Sequence, residues 1–190
     1  MAVEAGRAGT VGADGVRAGK YALVERERRF LLAGPPDLAA VTVARTITDR
    51  YVHGTRLRLR RVDYADGRVE LKLTQKVPAG LPGAVRGLIT NTYLSPAEYD
   101  VLAALPADVL RKSRLSVPPL GVDVFEGPLR GLVVAEAEFA TDEEAEAFPA
   151  PAASVAEVTD DPRLAGGRLV TASRTELLGW LAEYGLRPAG

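Results

Sequence analysis

The chain has no cysteine. That excludes a disulfide scaffold, a zinc finger, an iron–sulfur site and a thiol nucleophile. It has a single histidine, His53, which makes a multi-histidine metal site or a Ser-His-Asp triad improbable. No apolar run approaches the roughly 20 residues that span a bilayer. The first residues lack the basic start and apolar middle of a secretory leader. The cytoplasm is the expected location. No P-loop or dinucleotide-binding glycine motif occurs, which argues against the common nucleotide folds.

What is present is an ordinary globular composition. Of 190 residues, 47% are apolar and 26% charged, enough to build one core without metal or disulfide staples. Residues 1–19 are rich in Gly and Ala and show no helical or strand period, so a flexible tail is expected there. Residues 20–190 are expected to form one domain. The net charge is only −1, which argues against sequence-specific nucleic acid as a partner. The average hides a segregation. Eight Arg or Lys lie between Arg50 and Lys76, and nine acidic residues with no basic one lie between Gly131 and Asp161.

The local pattern reads as many antiparallel strands and few helices, an α+β class. Strands are expected at residues 21–32, 44–53, 55–62, 68–76, 85–94, 109–117, 121–125 and 132–139, with a brief extended piece at 155–159. A short helical turn is expected at 37–41. Asp66-Gly67 is a hairpin signal. Ser95-Pro96-Ala97-Glu98, Thr141-Asp142-Glu143-Glu144 and Ser173-Arg174-Thr175-Glu176 are capping boxes that open three helices. The first helix is expected to end near Leu105.

Side chains two apart on a strand share a face. Glu25, Glu27 and Arg29 therefore share one face, as do Arg56, Arg58 and Arg60. So do Glu70, Lys72, Thr74 and Lys76; Lys112 and Arg114; and Glu136 and Glu138. Any one such strand is ordinarily just solvated on that face. Together the faces are nearly monochrome, basic or acidic, and mainly apolar on the reverse. If the capped helices cover the apolar faces from outside, the charged faces turn inward and the sheet closes into a charged barrel. Confined charge is costly without compensation. A polyanion on the basic strands and divalent cations on the carboxylates would supply it.

These elements resemble those of CYTH proteins, the triphosphate tunnel metalloenzymes. Glu25-Arg26-Glu27-Arg28-Arg29 resembles the ExExK opening. Arg56-Leu57-Arg58 is similar to the RxR strand, Leu71-Lys72-Leu73-Thr74 to the single-lysine strand and Lys112-Ser113-Arg114 to the KxR strand. Val122 to Gly127 is similar to VDxFxG, Gly131 to Phe139 to GLxxAExE, and Glu157-Val158-Thr159 to the late EVT element. The elements occur in family order and cover most of the chain after the tail.

The resemblance implies an eight-stranded antiparallel barrel with an open tunnel, helices packed outside, and magnesium or manganese as cofactor. It implies a phosphohydrolase acting on a triphosphate-containing small molecule. The alternatives are a class IV-type adenylyl cyclase, a polyphosphate- or nucleotide-binding module without turnover, and a plain structural module. Carried over, Glu25, Glu27, Glu136, Glu138 and Glu157 stand on the metal side, and Arg56, Arg58, Arg60, Lys72, Lys76, Arg86, Lys112 and Arg114 on the phosphate side. Glu25, Glu27, Arg29 and Asp123 are the catalytic candidates, with Asp123 and Glu157 able to orient a base or a metal-bound water. Arg26 and Arg28 should face away from the tunnel. Two positions depart from the pattern. Arg29 replaces the family lysine, and arginine stays protonated, so it cannot act as a base. The strand at 85–94 carries Ile89-Thr90-Asn91-Thr92-Tyr93, where many members carry a pair of glutamates.

Overall fold

A computed structural model describes residues 20–80 and 83–187. The expected tail at 1–19 lies outside the described residues. Nine strands run in the order β1 Leu23–Leu32, β2 Val43–Val52, β3 Leu57–Tyr64, β4 Val69–Pro78, β5 Val85–Tyr93, β6 Ala107–Val117, β7 Leu120–Phe125, β8 Val133–Glu138 and β9 Ser154–Glu157. Among the described residues four α-helices accompany them: α1 Pro96–Ala103, α2 Asp142–Ala147, α3 Gly166–Leu169 and α4 Arg174–Glu183. The class is α+β.

Eight strands close into an antiparallel barrel in the circular order β1-β5-β4-β3-β2-β6-β7-β8. β1 is the seam. Its residues from Glu27 to Leu31 pair with β8. On its other edge the first residues pair with β5 and the last with β9. The register of β1 and β5 slips between Glu25 and Arg26. Gly87 sits opposite that slip with φ +138, and a Cβ there would fall 2.1 Å from the Val77 carbonyl oxygen. Only glycine permits both the conformation and the approach.

The capping boxes form at all three helices as expected: Ser95 with Glu98, Thr141 with Glu144, and Ser173 with Glu176. Boundaries differ modestly. β4 pairs on to Pro78, because Val77 and Pro78 still find Leu88 and Gly87 across the ladder. α1 stops at Ala103. α3 was not anticipated, since Gly166-Gly167 offers no helical signal.

The helices cover three apolar surfaces. Tyr99 and Leu102 of α1 pack on Leu59, Leu71 and Leu73 outside β3 and β4. Phe148, just after α2, packs on the outward residues Phe30, Val122, Val133 and Ala135. Arg26 and Arg28 point outward and hold α2. Arg26 Nε donates to Asp142 at 2.8 Å, and Arg28 Nη1 donates to the carbonyls of Ala145 at 2.9 Å and Phe148 at 2.6 Å. α3 and α4 do something different. Leu164, Leu169, Leu177 and Leu181 pack on Leu31, Leu110, Phe125 and Val134. Those four strand residues share the inward face with the charged rows, so this end of the cylinder is covered. The expected open tunnel is covered at this end by residues of the C-terminal segment, because the inward residues there are apolar and need cover. Among the described residues no helix is long and apolar enough to cross a membrane.

Candidate functional site

The barrel encloses a cavity of about 660 Å³. Its lining includes Glu25, Glu27, Arg29, Arg56, Arg58, Arg60, Lys72, Lys76, Arg86, Lys112, Arg114, Glu136 and Glu138. Two of the sequence candidates lie elsewhere. Asp123 is fully buried beneath the lining. Glu157 is outside the barrel: it sits across from the outward Phe30 and accepts from Arg28 Nε at 2.8 Å and Nη2 at 2.6 Å. The strand β9 joins β1 after the barrel has parted from that edge, so the face that Glu157 occupies is the outer one.

The strand order sets two walls against each other. β3 stands opposite β8, and β2 opposite β1, in the circle of eight. The acidic wall is β1 and β8, where Glu27 pairs directly with Glu138 and Arg29 with Glu136. Burial and the neighbouring Glu136 raise the Glu27 carboxyl to about 7. Glu25 accepts from Lys76 Nζ at 2.6 and 2.9 Å.

The basic wall is β3 and β4. Arg60 lies directly across from Lys72, and Arg58 across from Thr74. Like charges in that relation repel. Burial and Arg60 together push the half-buried Lys72 ammonium below its ordinary value. The lysines of this wall have acids of their own, Glu70 at 3.5 Å from Lys72 and Glu25 on Lys76, while one acid serves Arg58 and Arg60. Asp49 on β2 is 1% exposed and accepts from Arg60 Nε and Nη2 at 2.6 Å each. Burial alone would raise its carboxyl, but Arg60 and Arg58 outweigh that and hold it well below the usual range. Arg58 Nε is 3.6 Å from the same carboxylate, buried, and has no hydrogen-bond partner. Its Nη2 donates weakly to Thr74 Oγ1 at 3.5 Å, and Thr74 donates to Asn91 Oδ1 at 2.7 Å.

Between these walls β6 and β7 carry a self-contained network. Asp123 accepts from Arg114 Nε and Nη2 at 2.6 Å each and also from Lys112. Arg114 donates on to Glu136. Desolvation would raise Glu136, but Arg114 and Lys112 prevail and hold its carboxyl low. Burial pushes Lys112 down against the pull of Asp123. Arg86 sits at the rim, donating to Asp160 at 3.3 Å.

Arg29 is 4% exposed. Its Nη1 donates to the Leu164 carbonyl and its Nη2 to the Thr159 carbonyl, each at 2.8 Å. Its Nε has no hydrogen-bond partner and lies 3.8 Å from Glu27. Tyr51 on β2 lines the cavity opposite, and burial with the nearby Asp49 raises its phenol to about 12. Asp49 and Thr74 escaped the sequence reading as site groups. A signal for Asp49 was available: the turn around Gly54 sets the β2–β3 register, which places Asp49 opposite Arg60.

Hard divalent cations want oxygen donors, and magnesium in particular is held by one or two carboxylates plus phosphate oxygens and water. Among the described residues no three acidic or histidine side chains converge as a ready-made metal site. Glu25 and Glu136 are engaged by Lys76 and Arg114. Glu27 and Glu138 remain, adjacent across the ladder. The inward row of β5, with Ile89 and Asn91, adds no carboxylate. This donor set fits a cation shared with a phosphate ligand and does not fit an all-protein cage.

No family model and no curated protein matches the chain. Solved structures do. One, described as the hypothetical protein NE1496, has a TM-score of 0.52 and 26% identity over 78% of this chain and 99% of its own. Another, described as the inorganic triphosphatase NE1496, has a TM-score of 0.52 and 24% identity over 79% and 96%. The likeness supports the barrel fold.

Proposed function

We propose that this chain is a CYTH-like barrel that binds the triphosphate group of a small molecule and hydrolyses a phosphoanhydride bond in it. The observation that carries the reading is the inward basic wall of β3 and β4, where Arg60 faces Lys72 directly and Arg58 keeps a buried Nε without a hydrogen bond. Asp49 and Glu70 compensate such a wall in part, and an anion between its members would complete it. Arginine forks match pairs of phosphate oxygens. The ordered motifs and the fold likeness to a protein described as an inorganic triphosphatase support the same reading.

Arg58, Arg60 and Lys72 would grip the phosphate chain, with Arg56 extending the row. Glu27 and Glu138 would hold magnesium or manganese on the facing wall. Bound there, the cation would supply neutralisation of charge on the transferred and leaving phosphates. The guanidinium groups add fixed positive charge where negative charge develops, in a partly water-excluded cup.

The test is product analysis with inorganic triphosphate, ATP and thiamine triphosphate, each with magnesium or manganese. Orthophosphate release that Arg58→Ala abolishes is the expected result. Cyclic nucleotide with pyrophosphate would make the protein a cyclase. Tight binding without turnover would make it a binding module, a reading favoured by the missing carboxylates on β5. Failure to bind any of the three would end the proposal.

A further inference from the structure

Lys76 starts on the basic strand β4 but ends on the acidic wall. In the ladder it lies across from Ile89 of β5, and Ile89 lies in turn across from Leu23 of β1. Glu25 is opposite Gly87, two residues from Ile89 on β5. Neighbouring strands stand about 4.8 Å apart. The Lys76 side chain therefore crosses the width of β5 to place its Nζ 2.6 and 2.9 Å from the two Glu25 oxygens. The row it crosses, Gly87 and Ile89, holds no carboxylate that would stop it short. Its influence extends past Glu25. Burial raises the Glu27 carboxyl, and Lys76 is foremost among the cations that pull against that rise. Burial would also raise Glu136, and Lys76 assists Arg114 and Lys112 in holding it low. The Lys76 side chain is 38% exposed and lines the cavity, so its charge stands where a ligand can meet it.

We propose that Lys76 is the built-in cation of the acidic wall: it competes with a divalent ion for Glu25, and it lends its remaining N–H to a phosphate oxygen of a bound triphosphate. The phosphate contact rests on the triphosphate reading; the competition for Glu25 does not. An ammonium has three N–H groups and no acceptor. Glu25 takes two of them, which leaves one to donate. A divalent cation on Glu27 and Glu138 would gain Glu25 as a further oxygen donor only if Lys76 withdrew. A tethered charge has a high effective concentration that a dilute ion must overcome. Lys76 also offsets carboxylate charge that would otherwise repel a polyanion. The chain can therefore grip triphosphate with no divalent ion present.

The full chain is titrated with manganese alone, followed by the paramagnetic signal of the free ion, and separately with inorganic triphosphate in the presence of a chelator. The variants are Lys76→Met, Lys76→Gln and the double variant Lys76→Met with Glu25→Gln. Lys76→Met should bind manganese about tenfold more tightly than the unaltered chain. The double variant should return to the unaltered affinity, because the freed Glu25 is the added donor. With chelator present the unaltered chain should bind triphosphate, and Lys76→Met should lose about 10- to 100-fold of that affinity. Lys76→Gln keeps a polar tip without the charge and should repeat both changes, which keeps the test alive if Lys76→Met does not fold. Equal manganese affinity in the unaltered chain and the Lys76 variants overturns the competition. A gain that survives in the double variant overturns Glu25 as its place. Undiminished metal-free affinity in Lys76→Met, or triphosphate binding to the unaltered chain only with manganese, overturns the phosphate contact. Triphosphate bound by none of the chains, with manganese or without, overturns the triphosphate reading, while the manganese titrations still decide the competition.

Discussion

Lys112 and Arg114 on one side of the barrel share the buried Asp123, and Arg114 reaches Glu136 as well. On the other side Arg58 and Arg60 share Asp49, with Arg60 taking both of its oxygens, and Lys72 lies 3.5 Å from Glu70. The two walls hold the same residue types at the same strand spacing, but one has an acid for each cation and the other has two acids, Asp49 and Glu70, for Arg58, Arg60 and Lys72. The lesson is that a charged row is not in itself a binding site. Where every charge has a partner within the protein, the row is scaffold; where cations outnumber acids, it is the candidate for an anionic ligand.

The largest effect should come from breaking the closed wall. Asp123→Ala leaves two buried cations with one remaining acid, and removing one partner of a buried pair costs about 3–5 kcal/mol. Denaturant unfolding should show that loss, and excess triphosphate should restore only part of it. A stability unchanged by Asp123→Ala would erase the distinction between the walls.

The basic wall should respond far less. Lys72→Met relieves the like-charge pair with Arg60 but gives up the ion pair with Glu70, so stability should change by less than about 1 kcal/mol. Affinity for inorganic triphosphate should fall by about 10- to 100-fold, the value of a charge-assisted hydrogen bond. Calorimetric titration reads both ligand affinity and its salt dependence. Undiminished affinity would place the ligand elsewhere.

The smallest effect concerns the acidic wall facing them. The Glu27 carboxyl lies at about 7 in the fold against an ordinary 4.5. Between those values the folded protein keeps a proton that the unfolded chain has released, so stability should fall as pH rises from about 4.5 to 7. Asp49 and Glu136 are held low and act in the other direction: their contribution is present at neutral pH and is lost as pH drops below the ordinary carboxylate range. Glu27→Gln should flatten the upper slope alone in denaturant midpoints taken with a chelator present. An unchanged slope would show that another group carries it.

Much of the barrel was readable in advance because alternation is a local property. The rows through Arg58, Lys72 and Glu136, and the outward turn of Arg26 and Arg28, follow from counting by two. Glu157 shows where counting stops. Its own strand is short, and only the pairing of β9 with Phe30 puts it outside. Asp49 shows a second limit, since an isolated acid gains meaning only from the strand laid beside it. The covered end of the barrel shows a third: Leu31, Leu110, Phe125, Val134 and Leu164 come from widely separated parts of the chain, and no local period links them.

The amino-acid order by itself determined which side chains share a face, where three helices begin and that opposite charges occupy different strands. The tertiary structure alone decided which cations keep a partner, which acid lies outside and which end is shut. The reason is that side-chain direction repeats every two residues along one strand, whereas compensation of charge depends on register and closure between strands far apart in the chain.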